Sequence, residues 1–122
     1  MSKRNLKLWL PVILWMGLIF LLSNMPDLKT DLKEDYLLRK LAHMTEYLIL
    51  TFFLYRAFKE TWKNTFPILY IYPALISVLY AASDEFHQTF IHGRSGSLHD
   101  VFIDSIGILL FYVYLRIIKR PA

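Results

Sequence analysis

Residues 101–118 read VFIDSIGILLFYVYLRII, and this stretch decides the class of fold. It is almost entirely apolar, with Asp104 near its start and Arg116 near its end. As a helix rising about 1.5 Å per residue it is about 27 Å long, close to the hydrocarbon thickness of a bilayer. The stretch is therefore predicted to be a membrane-spanning helix.

Three more apolar windows precede this one along the chain. They are Leu8–Leu22, Leu41–Phe58 and Phe66–Ala82. The middle window carries His43 and Glu46 in its first two turns, so it needs protein neighbours around its polar end. Pro73, inside the third window, removes one backbone hydrogen bond and is expected to kink the helix.

The composition agrees with a membrane protein, since 56% of the 122 residues are hydrophobic and only 20% are charged. An average soluble domain has roughly 25% charged residues. We therefore predict an all-α membrane protein, a bundle of four transmembrane helices in a single domain over residues 1–122. A secretory signal peptide is the competing interpretation of the first window, but no small-residue cleavage motif follows it. The helices are expected at about residues 6–24, 38–58, 65–86 and 99–119.

The basic residues predict an orientation. With a cytoplasmic N-terminus, nine of the 14 Lys and Arg residues lie on the inner side and five on the outer side. The positive-inside rule then favours both termini in the cytoplasm of a multi-pass protein. The same residues form helix-end anchors and no basic stripe, so nucleic acid is not an expected partner.

With this topology, polar side chains of the second, third and fourth helices lie at the same depth, on the outer side of the membrane. A charge at helix depth costs roughly 2.5 to 3.5 kcal/mol on insertion scales, so several at the same depth imply mutual pairing or a polar pocket. Helical spacing puts those of each helix on one face. The loop before the fourth helix adds Arg94, for which an anionic ligand and a salt bridge to a neighbouring carboxylate are alternatives, and Ser97, a candidate N-cap of that helix. The predicted ligand-binding residues are Lys40, His43, Glu46, Asp84, Glu85, Gln88, Arg94, Ser97, Asp100 and Asp104.

Several of these residues fall into motifs. Asp84-Glu85-Phe86-His87-Gln88 is followed by Gly93-Arg94-Ser95-Gly96-Ser97 and by Asp100-x-x-x-Asp104, with Lys40-x-x-His43 upstream. Together they resemble the signature of the VanZ-like family, over almost the whole chain. The resemblance implies a small polytopic protein of the bacterial cell membrane, from a family whose namesake gives teicoplanin resistance.

Two classes of function follow. The first is a binding protein whose outer-leaflet polar pocket holds a lipid head group or a lipid-tailed ligand, such as a lipid-linked cell-wall precursor or a lipoglycopeptide. The second is an enzyme acting on a lipid-linked phosphate or acyl group, with Asp84 or Glu85 as general base and His43 as acid or base. In the enzyme, Lys40 or Arg94 would hold the anion.

Metal and cofactor binding are not expected from the sequence. His43 and the carboxylates are metal-capable residue types, yet no diagnostic spacing such as HExxH is present. Hydrogen-bonded helix packing is the favoured explanation for these side chains. The chain contains no cysteine, which excludes thiolate metal sites and cysteine nucleophiles.

Overall fold

A computed structural model of the chain describes residues 3–23, 33–90 and 98–118. Helix α1 covers Lys3–Ser23 and α2 covers Lys33–Thr61. A π-helical turn over Pro67–Ile71 leads directly into α3, Tyr72–Gln88, and α4 covers Leu98–Ile118. Within these described residues the structure is helical and contains no strand. The predicted number of helices is confirmed.

Helix α2 is the centre of the bundle. It packs against α1, α3 and α4, and its side chains Tyr47, Leu50 and Leu54 are buried. In the described part of the chain α1 and α4 do not touch each other, because α2 and α3 lie between them. The central position supplies the protein neighbours that the polar end of α2 requires.

Three helical segments are long and apolar enough to cross a membrane. They are Lys3–Leu22, Pro67–His87 and His99–Ile118. Helix α2 is not one of them. Its two ends also reach further than expected, to residues 33 and 61 instead of 38 and 58.

A π-helical turn comes just before Pro73, where the sequence predicts a kink. In this turn the Tyr72 N–H donates to the Pro67 carbonyl, five residues back. The wider turn accommodates a proline that cannot donate a hydrogen bond. Pro73 itself is buried, so the deformation lies against the core.

A proline inside a helix frees the carbonyl four residues earlier, and here two such carbonyls find partners on other helices. Pro11 of α1 leaves the Lys7 carbonyl without an intrahelical donor, and Arg56 Nη2 donates to it at 3.2 Å. Pro73 likewise leaves the Leu69 carbonyl without an intrahelical donor, and the Tyr112 hydroxyl donates a hydrogen bond to that carbonyl at 3.0 Å. Arg56 on α2 and Tyr112 on α4 thereby tie the helices together.

Helices α2 and α4 are in close backbone contact at Gly107. A Cβ atom added there would overlap the Met44 carbonyl oxygen and lie 2.8 Å from the carbonyl carbon. Only glycine permits this contact between backbones, as small residues do at membrane helix interfaces. The close approach brings the first turns of α4 against the first half of α2, where the polar residues lie.

Candidate functional site

The polar residues collect at one end of the bundle. The early part of α2, the last turns of α3 and the start of α4 meet there, because consecutive helices run in opposite directions. The members with described side chains come from three helices and form what we call the polar cluster. It consists of Lys40, His43, Glu46 and Tyr47 on α2, Asp84 and Glu85 on α3, and Asp100 and Asp104 on α4.

The outer part of the cluster, its rim, is partly exposed. It comprises Lys40, Asp100, His43 and Glu46, whose side chains are 18 to 21% exposed. Lys40 Nζ and Asp100 Oδ1 form an ion pair that joins α2 to α4. Asp100 lies in the first turn of α4, where the helix dipole also favours a negative charge.

The inner part of the cluster, its floor, is buried and acidic. It consists of Asp84, Glu85 and Asp104, which are 5%, 3% and 0% exposed. Buried carboxylates are costly unless they are paired or coordinate a cation. Three in one small volume therefore indicate a site with a purpose beyond packing, since an apolar core would be less costly.

His43 is the rim residue that lies next to the floor. Its Nδ1 atom is 3.4 Å from Asp104 Oδ1 and 3.9 Å from Glu46 Oε2. Both distances are longer than a normal N–H···O hydrogen bond. No residue within the described ranges donates a hydrogen bond to either Asp104 oxygen.

Asp84 has a different partner from the other two floor carboxylates. The buried Tyr47 hydroxyl donates to Asp84 Oδ2 at 3.3 Å. One turn further along α2, Thr51 bonds the Tyr47 carbonyl at 2.7 Å and the Ser77 hydroxyl of α3 at 2.9 Å. Polar contacts thus continue from the floor into the middle of the bundle.

Thr51 is the polar residue that the sequence analysis missed. It stands four residues after Tyr47 and eight after His43, on the same face of α2. The four-residue helical spacing from His43 to Tyr47, continued by one more turn into the apolar window at residues 41–58, identifies Thr51. Its hydroxyl is fully buried and bonded on both sides, as is expected of a polar group in a helix interface.

Helix α1 closes one side of the polar cluster. The Trp15 indole donates to the Glu46 carbonyl at 2.8 Å, and the Tyr80 hydroxyl donates to the Met16 carbonyl at 2.6 Å. Near the end of α1, the Phe20 ring stacks on His87 with centroids 4.9 Å apart. These contacts hold the polar ends of α2 and α3 in place.

Three side chains of the cluster have a metal-capable arrangement. One ligand atom each from His43, Glu85 and Asp104 lies within 4.8 Å of the other two. Because each residue comes from a different helix, no short sequence motif could have revealed the triad. The same three groups are suited to moving protons, since an imidazole lies beside carboxylates.

The structure therefore brings together seven of the ten residues predicted to bind a ligand, and their ligand-binding role stays a prediction. Arg94 and Ser97 lie outside the described residues. Gln88 is the last residue of α3, and its side chain is also outside the description. The seven that lie in the cluster are Lys40, His43, Glu46, Asp84, Glu85, Asp100 and Asp104.

The opposite end of the bundle is basic and differs in character. Arg4 Nη2 donates to Glu60 Oε2 at 2.9 Å, between two well-exposed side chains. Trp9 donates to Thr61 Oγ1 at 3.0 Å on the same side. The bundle is therefore polarised, with a buried acidic cluster at one end and mostly basic residues at the other.

Comparison with known proteins supports the resemblance found in the motifs. The VanZ/LLP1 family model matches residues 8–119 of the 122-residue chain. No curated protein and no solved structure matches it. The chain belongs to the VanZ/LLP1 family.

Proposed function

We propose that this VanZ/LLP1 family protein is a four-helix protein of the bacterial cell membrane, with both termini in the cytoplasm. Three of its helical segments are long and apolar enough to span. The fourth, α2, packs against all three of the others, and the side chains of Lys40 and Glu46 near its outer end are only 20% and 19% exposed. The basic end then faces the cytoplasm, as the positive-inside rule requires, and the polar cluster faces the outer side.

Labelling of single cysteines tests this orientation, because the natural chain has no cysteine. His92→Cys should react in intact cells with a thiol reagent that cannot cross the membrane. Asn64→Cys, between α2 and the π-helical turn, should react only after permeabilisation. The reverse pattern would show that the proposed orientation is wrong, and equal labelling of both sites before permeabilisation would show a different number of crossings.

We further propose that the polar cluster binds the polar end of a lipid or of a lipid-tailed ligand such as a lipoglycopeptide. The observation that carries this proposal is a buried acidic floor beneath a partly exposed rim. Carboxylates outnumber the basic groups of the cluster, so a positively charged group suits it best. Lys40 is already paired with Asp100, which makes a bound phosphate less favourable.

Antibiotic tolerance tests the proposed function. An acyl chain gains about 0.8 kcal/mol for each buried methylene, so teicoplanin concentrates at the outer leaflet whereas vancomycin has no such anchor. Expression in a susceptible Gram-positive host should raise the inhibitory concentration of teicoplanin several-fold and leave that of vancomycin nearly unchanged. Asp84→Ala and Arg94→Ala should abolish the difference, with membrane levels checked by immunoblot.

The matched control is Ser83→Ala, which alters the exposed residue next to Asp84 and should keep the teicoplanin effect. Equal protection against both antibiotics would contradict the proposal and indicate an indirect cell-wall response. A well-expressed protein that protects against neither would exclude a role in resistance for this member.

A membrane enzyme acting on a lipid-linked phosphate or acyl group is the second candidate. The observation that favours it is His43 within 3.4 Å of Asp104, with Glu85 close by. Asp84, which accepts a hydrogen bond from Tyr47, and Glu85, which lies close to His43, are the two candidate general bases. Glu85→Gln distinguishes the candidates, because the amide preserves shape and polarity but cannot take up a proton. Loss of the teicoplanin effect with ligand binding retained would favour the enzyme.

A further inference from the structure

Asp104 is the most unusual side chain of the floor. It is fully buried, and no donor among the described residues bonds either of its oxygens. A carboxylate in this position carries a large desolvation cost that a cation must offset. The nearest basic group, His43 Nδ1 at 3.4 Å, is too far for a good hydrogen bond.

Two other donor atoms point to the same small volume. His43, Glu85 and Asp104 each place one ligand atom within 4.8 Å of the others. Tetrahedral ligand atoms at about 2.0 to 2.2 Å from one ion lie about 3.3 to 3.6 Å apart. His43 Nδ1 and Asp104 Oδ1, which are 3.4 Å apart, already have this separation. The Glu85 oxygen, which is within 4.8 Å of the other two ligand atoms, needs to move closer by at most about 1.5 Å. Glu46 Oε2 lies 3.9 Å from His43 Nδ1 but does not belong to this set of three.

We propose that His43, Glu85 and Asp104 bind a single divalent transition-metal ion. A neutral imidazole and two carboxylates carry two negative charges, which the ion cancels within the buried volume. An imidazolium would cancel only one of them. One nitrogen and two oxygen donors suit Zn²⁺, Mn²⁺, Fe²⁺ or Co²⁺, and a chain without cysteine offers no thiolate that would select a softer metal.

The bound ion would join α2, α3 and α4 at the floor, since each contributes one ligand. It would also place a positive charge just beneath the partly exposed rim. A vacant coordination position facing the rim would admit water or a ligand oxygen. The proposal concerns the ion alone and stands whether or not a lipid or an antibiotic binds.

Titration with Co²⁺ tests the metal site. The full chain is purified in mild detergent, treated with a chelator and titrated while the visible d–d absorption of cobalt is recorded. One equivalent of Co²⁺ should bind to each chain. Asp104→Asn and Glu85→Gln should each weaken binding by about 100-fold or more, since altering even an outer partner of a metal ligand typically costs 10- to 100-fold.

Glu60→Gln is the control, because it removes an exposed carboxylate at the opposite end of the bundle and should leave cobalt binding unchanged. Thermal unfolding provides a second measurement. Added Co²⁺ should raise the Tm of the wild-type protein and of Glu60→Gln but not that of a helical, folded Asp104→Asn variant.

Absence of cobalt binding by the folded wild-type protein would overturn the proposal and leave a His43–Asp104 ion pair in its place. Binding that persists unchanged in Asp104→Asn would overturn it as well. Neither measurement uses a lipid or an antibiotic, so failure of the metal site and failure of the proposed function are distinguishable.

Discussion

Gly107→Ala should destabilise the bundle by about 2 kcal/mol or more, although alanine is the better helix former. The new Cβ would overlap the Met44 carbonyl oxygen, which belongs to the backbone and cannot rotate away. Helices α2 and α4 must then separate, and overpacking of this kind typically costs about 1 to 3 kcal/mol. Since the polar cluster is built across the same interface, cobalt binding should weaken in this variant too.

Gly17→Ala is the matched control for Gly107→Ala. It lies in α1, and a Cβ added there meets nothing within 4 Å. Because alanine is favoured over glycine inside a helix by roughly 1 kcal/mol, this variant should be neutral or slightly stabilised. Unfolding by SDS in mixed micelles, followed by circular dichroism, measures both. Equal stability of the two variants would show that α2 and α4 are not in backbone contact.

Lys40→Met should destabilise the protein by about 2 kcal/mol, because it removes the partly buried ion pair that Lys40 forms with Asp100. Breaking a fully buried pair costs about 3 to 5 kcal/mol, and the smaller value allows for side chains that are about one-fifth exposed. The double variant Lys40→Met/Asp100→Leu removes both charges. It should recover at least about 1 kcal/mol relative to the sum of the single variants, measured as a double-mutant cycle.

The pair Arg4 and Glu60 provides the comparison for this cycle. Their side chains are 68% and 46% exposed, so an equivalent cycle with Arg4→Met and Glu60→Leu should give a coupling of only about 0 to 1 kcal/mol. Added salt should reduce that surface coupling further. Equal coupling for the two pairs would mean that the Lys40–Asp100 pair is as solvated as a surface pair.

The helices and their order could be predicted from the sequence, because long apolar runs allow few alternatives. Residues 101–118 form most of α4, and the window at residues 41–58 lies entirely within α2. Helical spacing also identified the faces that carry His43, Asp84 and Asp104. The family followed from the acidic and glycine-rich motifs and is confirmed by the match over residues 8–119.

The pairing within the polar cluster could not be predicted in this way. Spacing shows that two side chains share a helix face, but it does not give the rotation of that helix about its axis or its depth against a neighbour. Those two quantities place Tyr47 against Asp84 and bring His43 towards Asp104. A change of one residue in depth would shift a side chain by about 1.5 Å and exchange the partners.

The sequence by itself therefore determined the helical class, the apolar segments, the family and the end of the bundle at which charges gather. Only the tertiary structure decided that Asp104 is buried without a hydrogen bond from the described residues, and that Gly107 sets the distance between α2 and α4. It also decided that Tyr112 satisfies the carbonyl freed by Pro73. The physical reason is that hydrophobic patterning acts within one helix, whereas burial, close approach and partner choice depend on atoms from several helices at once.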